Sequence, residues 1–296
     1  MKVAVGASSF ADADGAPLRL LQDKGLEVVR NPYGRRLTED ETIAHLQGAD
    51  GLLAGLEPLN ERVLSQSADL RAIARIGIGM DNVDMKAAER HGIKVSNTPG
   101  GPTEAVAEMT VAMLLALIHQ AKPSDADIHA GVWKKRMGKS IRGLRVLVVG
   151  YGHIGRKVAD QLRTMGADVR VHDKYLAGAS DTTLEDGLGW AEAVTLHVSG
   201  RDEVIGGREL GLMPPGGYLL NSARGTVVNE DALYGALKDG RLAGFWGDAL
   251  WQEPYGGKIC ECDNAILTPH ICTYTETCRA GMEMEAARNL LRDLGI

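Results

Sequence analysis

The stretch Leu144-Arg145-Val146-Leu147-Val148-Val149 runs straight into Gly150-Tyr151-Gly152-His153-Ile154-Gly155, and this junction constrains the fold more than any other part of the chain. A short, nearly continuous apolar run suits a strand buried on both faces of a parallel sheet. The glycines follow at the G-x-G-x-x-G spacing. A helix-period stretch comes next, with Ile154, Val158, Leu162 and Met165 on one face. A second strand run then ends at Asp173. Strand, glycine turn, helix and acid-terminated strand are the parts of a dinucleotide-binding βαβ unit.

Each part has a physical reason. Gly150 permits the tight turn. Gly152 lets the backbone approach a pyrophosphate. Gly155 lets the helix pack closely on the strand, and phosphates sit at the helix N-terminus. His153 and Ile154, inside the fingerprint, count with the glycines as candidate cofactor-binding positions. Asp173 would accept hydrogen bonds from the adenosine ribose hydroxyls. Its charge would repel a 2'-phosphate, so the expected cofactor is NAD rather than NADP.

The rest of the chain alternates in the same way. Strand-like runs fall at Lys2–Val5, Glu27–Val29, Gly51–Ala54, Ala72–Ile76 and Lys94–Ser96, with amphipathic stretches such as Thr38–Gln47 and Asn60–Gln66 between them. A turn cluster, Asn97-Thr98-Pro99-Gly100-Gly101-Pro102, precedes a long helix-like run from about Thr103 to His119. A second series has strands at Arg145–Val149, Asp168–His172, Ala193–Leu196, Gly217–Leu220, Gly244–Trp246 and Ala265–Leu267. Thr275 to Leu294 reads as one closing helix. Strands alternating with helices imply parallel sheets covered on both faces, here in two α/β domains.

Bulk properties agree. The 296 residues suit about two domains, and 44% hydrophobic residues suffice for two cores. A net charge of -6 argues against non-specific nucleic-acid binding. No apolar run reaches the roughly 18 residues of a membrane span. The N-terminus lacks a signal-peptide layout, so the expected compartment is the cytoplasm. Cys260, Cys262, Cys272 and Cys278 are spaced C-x-C and C-x5-C, unlike the paired C-x2-C of zinc modules, so no metal site is expected.

Three strand-end segments carry polar residues in apolar surroundings: Asn221-Ser222-Ala223-Arg224-Gly225, Asp248 through Glu253-Pro254, and Thr268-Pro269-His270. Ligands of open α/β sheets bind at the carboxyl ends of strands. Oxidation of an alcohol by hydride transfer needs a group to take the hydroxyl proton, and histidine suits it. A neighbouring carboxylate would orient the ring and favour its charged form. Arginine offers a bidentate fork for a substrate carboxylate. Arg224, Glu253 and His270 are the three types this chemistry needs.

With these motifs assembled, nearly the whole chain resembles the D-isomer-specific 2-hydroxyacid dehydrogenases. Arg75-Ile76-Gly77-Ile78-Gly79-Met80-Asp81-Asn82-Val83-Asp84, Asn97-Thr98-Pro99-Gly100 and Ala105-Val106-Ala107-Glu108 match as well, and the upstream motifs look most like 3-phosphoglycerate dehydrogenases. The resemblance implies a Rossmann nucleotide domain, residues 99–271, inserted into a flavodoxin-like substrate domain, residues 1–98 and 272–296. It implies that Arg224 binds the substrate carboxylate, that His270 is the acid/base and that Glu253 is its partner. Asp248 would lie near the nicotinamide carboxamide, with Val198 and Ala223 also at the cofactor. The backbone of Gly77, Ile78 and Gly79 would help hold the carboxylate. A homodimer formed through the nucleotide domain is implied too.

The chain departs from the family pattern in places. Ser199-Gly200-Arg201 follows Leu196-His197-Val198 where a proline is usual, and Ala249-Leu250 replaces Val-Phe. Ala54-Gly55-Leu56-Glu57 supplies no arginine where a phosphate-binding one is expected; Lys134, Lys135 and Arg136 are a substitute or a solvated stretch. The substrate side chain therefore stays open, 3-phosphoglycerate included. Two other functions remain in view: an NAD-sensing, corepressor-like binding protein, and a dehydrogenase of formate or phosphite.

Overall fold

The computed structural model describes residues 1–296, apart from the side chain of Ala177. The chain divides into two compact units, Met1–Pro102 with Tyr274–Ile296, and Thr103–Thr273.

In the first unit, β1 (Lys2–Val5), α1 (Ala16–Asp23), β2 (Glu27–Arg30), α2 (Glu39–His45), β3 (Gly51–Ala54), α3 (Glu61–Ser65), β4 (Ala72–Arg75), α4 (Met85–Arg90) and β5 (Lys94–Ser96) alternate. The strands form one sheet in the order β2-β1-β3-β4-β5, and every pair is parallel. That is the flavodoxin-like order, with its reversal between β1 and β3. Thr38 and Asn60 begin the expected helices but are their N-caps, accepting from the amides of Glu41 and Val63. Such side chains satisfy orphan amides of the first turn.

The second unit opens with α5 (Pro102–Ile118) and α6 (Ala121–His129). It continues through β6 (Arg145–Val149), α7 (His153–Thr164), β7 (Asp168–His172), α8 (Leu184–Trp190), β8 (Ala193–Leu196), α9 (Gly207–Leu212), β9 (Gly217–Asn221), α10 (Glu230–Lys238), β10 (Leu242–Gly247) and β11 (Ala265–Leu267). The chain then returns to the first unit as α11 (Glu276–Leu294), where Leu290 and Leu294 pack against Gly51. The second sheet runs β11-β10-β9-β8-β6-β7, again wholly parallel.

Alternate residues of its strands supply two cores. Leu147, Val149, Leu196, Leu219 and Phe245 fill one face, and Val146, Val148, Ala193, Leu220 and Trp246 the other. Helix α6 was not expected from the sequence. It has no buried residue and follows Gln120 in a left-handed conformation, so it shows no apolar stripe. No single helix is long and apolar enough to cross a membrane. The bent pair α5–α6 passes that test by length and composition, yet Leu114, Leu117 and Ile118 of α5 are buried in the core.

Candidate active site

The glycine turn is built as its spacing requires. Gly150 takes a φ of 92°, and a Cβ there would lie 2.6 Å from the carbonyl oxygen of His197. A Cβ on Gly155 would fall 1.9 Å from the carbonyl oxygen of Gly150. Gly152, the N-cap of α7, has no neighbour within 4 Å of its Cβ position. His153 and Ile154 open α7, whose first-turn amides form the positive end of the helix. A cavity of about 480 Å³ lies where the strand order reverses, lined by Gly150, Gly152, Asp173, His197 and Val198 among others. Crowded glycines at the turn and an open one facing the cavity suit a pyrophosphate. Ala223 is buried in the turn after β9.

Asp173 closes β7 at that cavity. One oxygen accepts from the amide of Tyr151 at 2.7 Å, the other from the amides of Tyr175 and Leu176 at 2.8 and 2.9 Å. Partial burial works against ionisation, but these backbone donors hold the carboxyl below its ordinary range. His197, half-buried, lines the same cavity. Its Nδ1 meets Ser222 Oγ at 3.0 Å and its Nε2 meets Thr195 Oγ1 at 2.9 Å. Burial pushes this imidazole down to about 3, so it is neutral.

The catalytic candidates leave three neighbouring strands. Asn221, Gly247 and Leu267 are aligned in register at the ends of β9, β10 and β11. Asn221 folds the first turn: its Oδ1 accepts from the amide of Ala223 at 3.0 Å and its Nδ2 donates to the Arg224 carbonyl at 2.7 Å. The Arg224 guanidinium also donates to the Ala223 carbonyl at 2.8 Å. A Cβ on Gly225 would lie 2.3 Å from the backbone of Leu250, so only glycine lets the first and second loops touch. The second loop brings Glu253 Oε1 to 2.8 Å from His270 Nδ1 of the third. Their side chains are 33% and 31% exposed. His270 itself takes a left-handed φ of 55°, and its amide donates to the carbonyls of Asp248 and Thr268.

Gly77, Ile78 and Gly79 belong to the first unit, beyond the end of β4. The Gly77 amide donates to Thr98 Oγ1 at 2.7 Å, and Asn97 Nδ2 donates to the Ile78 carbonyl at 2.8 Å. The turn cluster at Asn97–Thr98 thus holds this loop. The roles of His197, Asn221 and Thr268 went unread in the sequence. An Asn at a strand end followed by small residues is the one signal available, since Asn folds turns onto its own backbone.

Comparison with known proteins identifies the family. The family described as D-isomer specific 2-hydroxyacid dehydrogenase, NAD binding domain, matches residues 111–272. A glyoxylate reductase of Thermococcus litoralis is 30% identical over 92% of this chain and 91% of its own length. The D-3-phosphoglycerate dehydrogenase of Escherichia coli is 35% identical over 79% of this chain, but the match spans only 61% of that protein. A solved Thermus thermophilus protein superposes with a TM-score of 0.90 at 33% identity, covering 100% of this chain and 97% of the other. The chain therefore belongs to the D-isomer specific 2-hydroxyacid dehydrogenases, and it is an NAD-dependent oxidoreductase of that family.

Proposed function

We propose that this enzyme moves a hydride between NAD and C2 of a small D-2-hydroxy acid or its 2-keto acid. The observation that carries the reading is the 2.8 Å contact of Glu253 with His270 on loops adjoining that of Arg224. When bound, the nicotinamide supplies the hydride acceptor or donor. Arg224 binds the substrate carboxylate through its fork and polarises the adjacent carbonyl. His270 takes the hydroxyl proton during oxidation and returns it during reduction. Glu253 holds the ring in place through Nδ1. Asp248, Val198 and Ala223 are proposed as further cofactor-side positions.

Glyoxylate and other small keto acids are the favoured substrates. A relative named glyoxylate reductase matches over nearly its full length. The loop after β3 carries the buried carboxylate Glu57 rather than an arginine. A second reading, 3-phosphoglycerate oxidation, rests on the relative named D-3-phosphoglycerate dehydrogenase. NADH oxidation with glyoxylate, pyruvate, hydroxypyruvate and 3-phosphohydroxypyruvate separates the two, with formate and phosphite plus NAD as further arms. Activity on none of the keto acids would remove the proposal.

The working unit is proposed to be a homodimer. Trp133 and Met137, 86% and 96% exposed, stand on a stretch of the second unit without regular structure. Exposed large apolar side chains of this kind suit a partner surface. Light scattering of the native protein and of Trp133→Ala tests it: a dimer weakened by the substitution is expected. Cytoplasmic residence is proposed on four free cysteines, three of them buried.

A further inference from the structure

We propose that Asp248, braced by Thr268, is a positioning residue that holds the backbone of His270 in its working conformation. The proposal rests on the reading of His270 as the acid/base. It differs from the cofactor contact that the family resemblance implies for Asp248.

The hydrogen bonds define a strap. Asp248 is 2% exposed and begins immediately after β10. Its Oδ1 accepts from Thr268 Oγ1 at 2.6 Å and from the amide of Ile271 at 2.9 Å. Its Oδ2 accepts from the amide of Cys272 at 3.0 Å. Its own carbonyl accepts from the amide of His270 at 2.9 Å. One residue thus binds donors from positions 268, 270, 271 and 272, on both sides of the histidine. Thr268 is fixed in turn by Trp246, whose indole N–H donates to Thr268 Oγ1 at 3.1 Å and whose ring is wholly buried.

A strap is needed here because of the histidine's backbone. A φ of 55° is uncommon for any residue with a Cβ, and costs free energy unless the surroundings impose it. The amides of Ile271 and Cys272 cannot find strand partners while the chain turns through that conformation, and the carboxylate supplies them. A carboxylate has about four acceptor positions, and three are engaged within this loop. Its amide counterpart would not serve, because an Asn must turn either its NH2 or its single oxygen toward donors that need two oxygens.

The test uses the full-length protein with NADH and glyoxylate, or whichever keto acid of the panel turns over fastest. Asp248→Asn, His270→Ala and the double variant form a cycle. Asp248→Asn is expected to lower kcat about 10- to 100-fold, the scale of a sub-ångström to ångström misplacement. NADH affinity by fluorescence titration is expected to fall by much less than kcat, because the carboxylate is engaged chiefly by donors of the histidine loop. In the His270→Ala background, Asp248→Asn is expected to cost nothing further. Multiplicative losses in the double variant, or a tenfold weaker NADH affinity with kcat intact, would overturn the proposal. If Asp248→Asn does not fold, Thr268→Val replaces it in the cycle and is judged by the same two outcomes; Thr268→Ser is expected to restore kcat. Wild-type turnover by His270→Ala alone would overturn the acid/base reading itself, and is distinct from a cycle that multiplies.

Discussion

Glu253 Oε1 lies 2.8 Å from His270 Nδ1. A carboxylate only accepts hydrogen bonds, so the pairing puts a proton on Nδ1. Nε2 is then the nitrogen left for exchange with substrate. His270→Ala should cut turnover by roughly 10²–10⁴-fold, the usual worth of a positioned acid/base, while NADH still binds. Glu253→Gln keeps an acceptor for Nδ1–H but loses the charge, so its loss should be smaller than that of His270→Ala. Steady-state kinetics with matched NADH titrations check both, and equal losses would show that Glu253 does more than orient and stabilise the ring.

Two glycines of one turn should fail in different ways. Gly152→Ala adds a methyl where the protein leaves open space, so the melting temperature should hardly move while NADH affinity falls. Gly155→Ala forces a methyl to 1.9 Å from a carbonyl oxygen, so α7 must shift from β6 and stability should fall by about 1–3 kcal/mol. Thermal unfolding and NADH titration of the two variants separate the effects. Gly152→Ala with unaltered NADH binding would contradict a pyrophosphate seat at that position.

These cases also show which parts of the molecule a sequence exposes. The G-x-G-x-x-G spacing and the strand before it are local, so the turn from Gly150 to Gly155 could be read directly. Arg224, Glu253 and His270 were legible as types at strand ends, because parallel neighbours bring those ends to one edge. Asn221 and Thr268 lay in the same segments without a role, since their work is to satisfy backbone groups whose directions depend on the turn itself. His197 was unreadable for a similar reason: its partner Ser222 meets it only after β8 and β9 have paired. Helix α6 lacks the buried stripe from which helices are read, and Thr38 and Asn60 marked helix starts that proved to be caps.

Asp173 does two jobs, and substitution should reveal both. Its carboxylate ties Tyr151, Tyr175 and Leu176 together, and its charge disfavours a 2'-phosphate in the cavity. Asp173→Asn should narrow the preference for NAD over NADP and also weaken NAD binding, because an amide cannot accept from all three backbone donors at once. Catalytic efficiencies with both cofactors measure this. An Asp173→Asn variant with the wild-type cofactor ratio would place the discrimination elsewhere.

His197 should make stability depend on pH. Its imidazole is held between Thr195 and Ser222, and desolvation pushes it down to about 3 from an ordinary value of 6.5. As pH falls below 6.5, the unfolded chain takes up a proton on this ring and the folded protein does not. The unfolded state is therefore favoured progressively, and the stability present above pH 6.5 is lost as pH falls toward 3. One proton corresponds to about 1.4 kcal/mol per pH unit within that window. Replacing the ring removes the proton difference but not the carboxylates that titrate in the same range, so the comparison is between slopes. Urea unfolding of wild type and His197→Asn at pH 7.0, 6.0 and 5.0 should give a wild-type slope steeper by about one proton's worth below pH 6.5. His197→Asn should also start from a lower stability at pH 7, since the amide cannot bridge both hydroxyls as the longer ring does. Parallel slopes for the two proteins would mean that the ring gains a proton in the folded state, and that the bridge from Thr195 to Ser222 opens as it does.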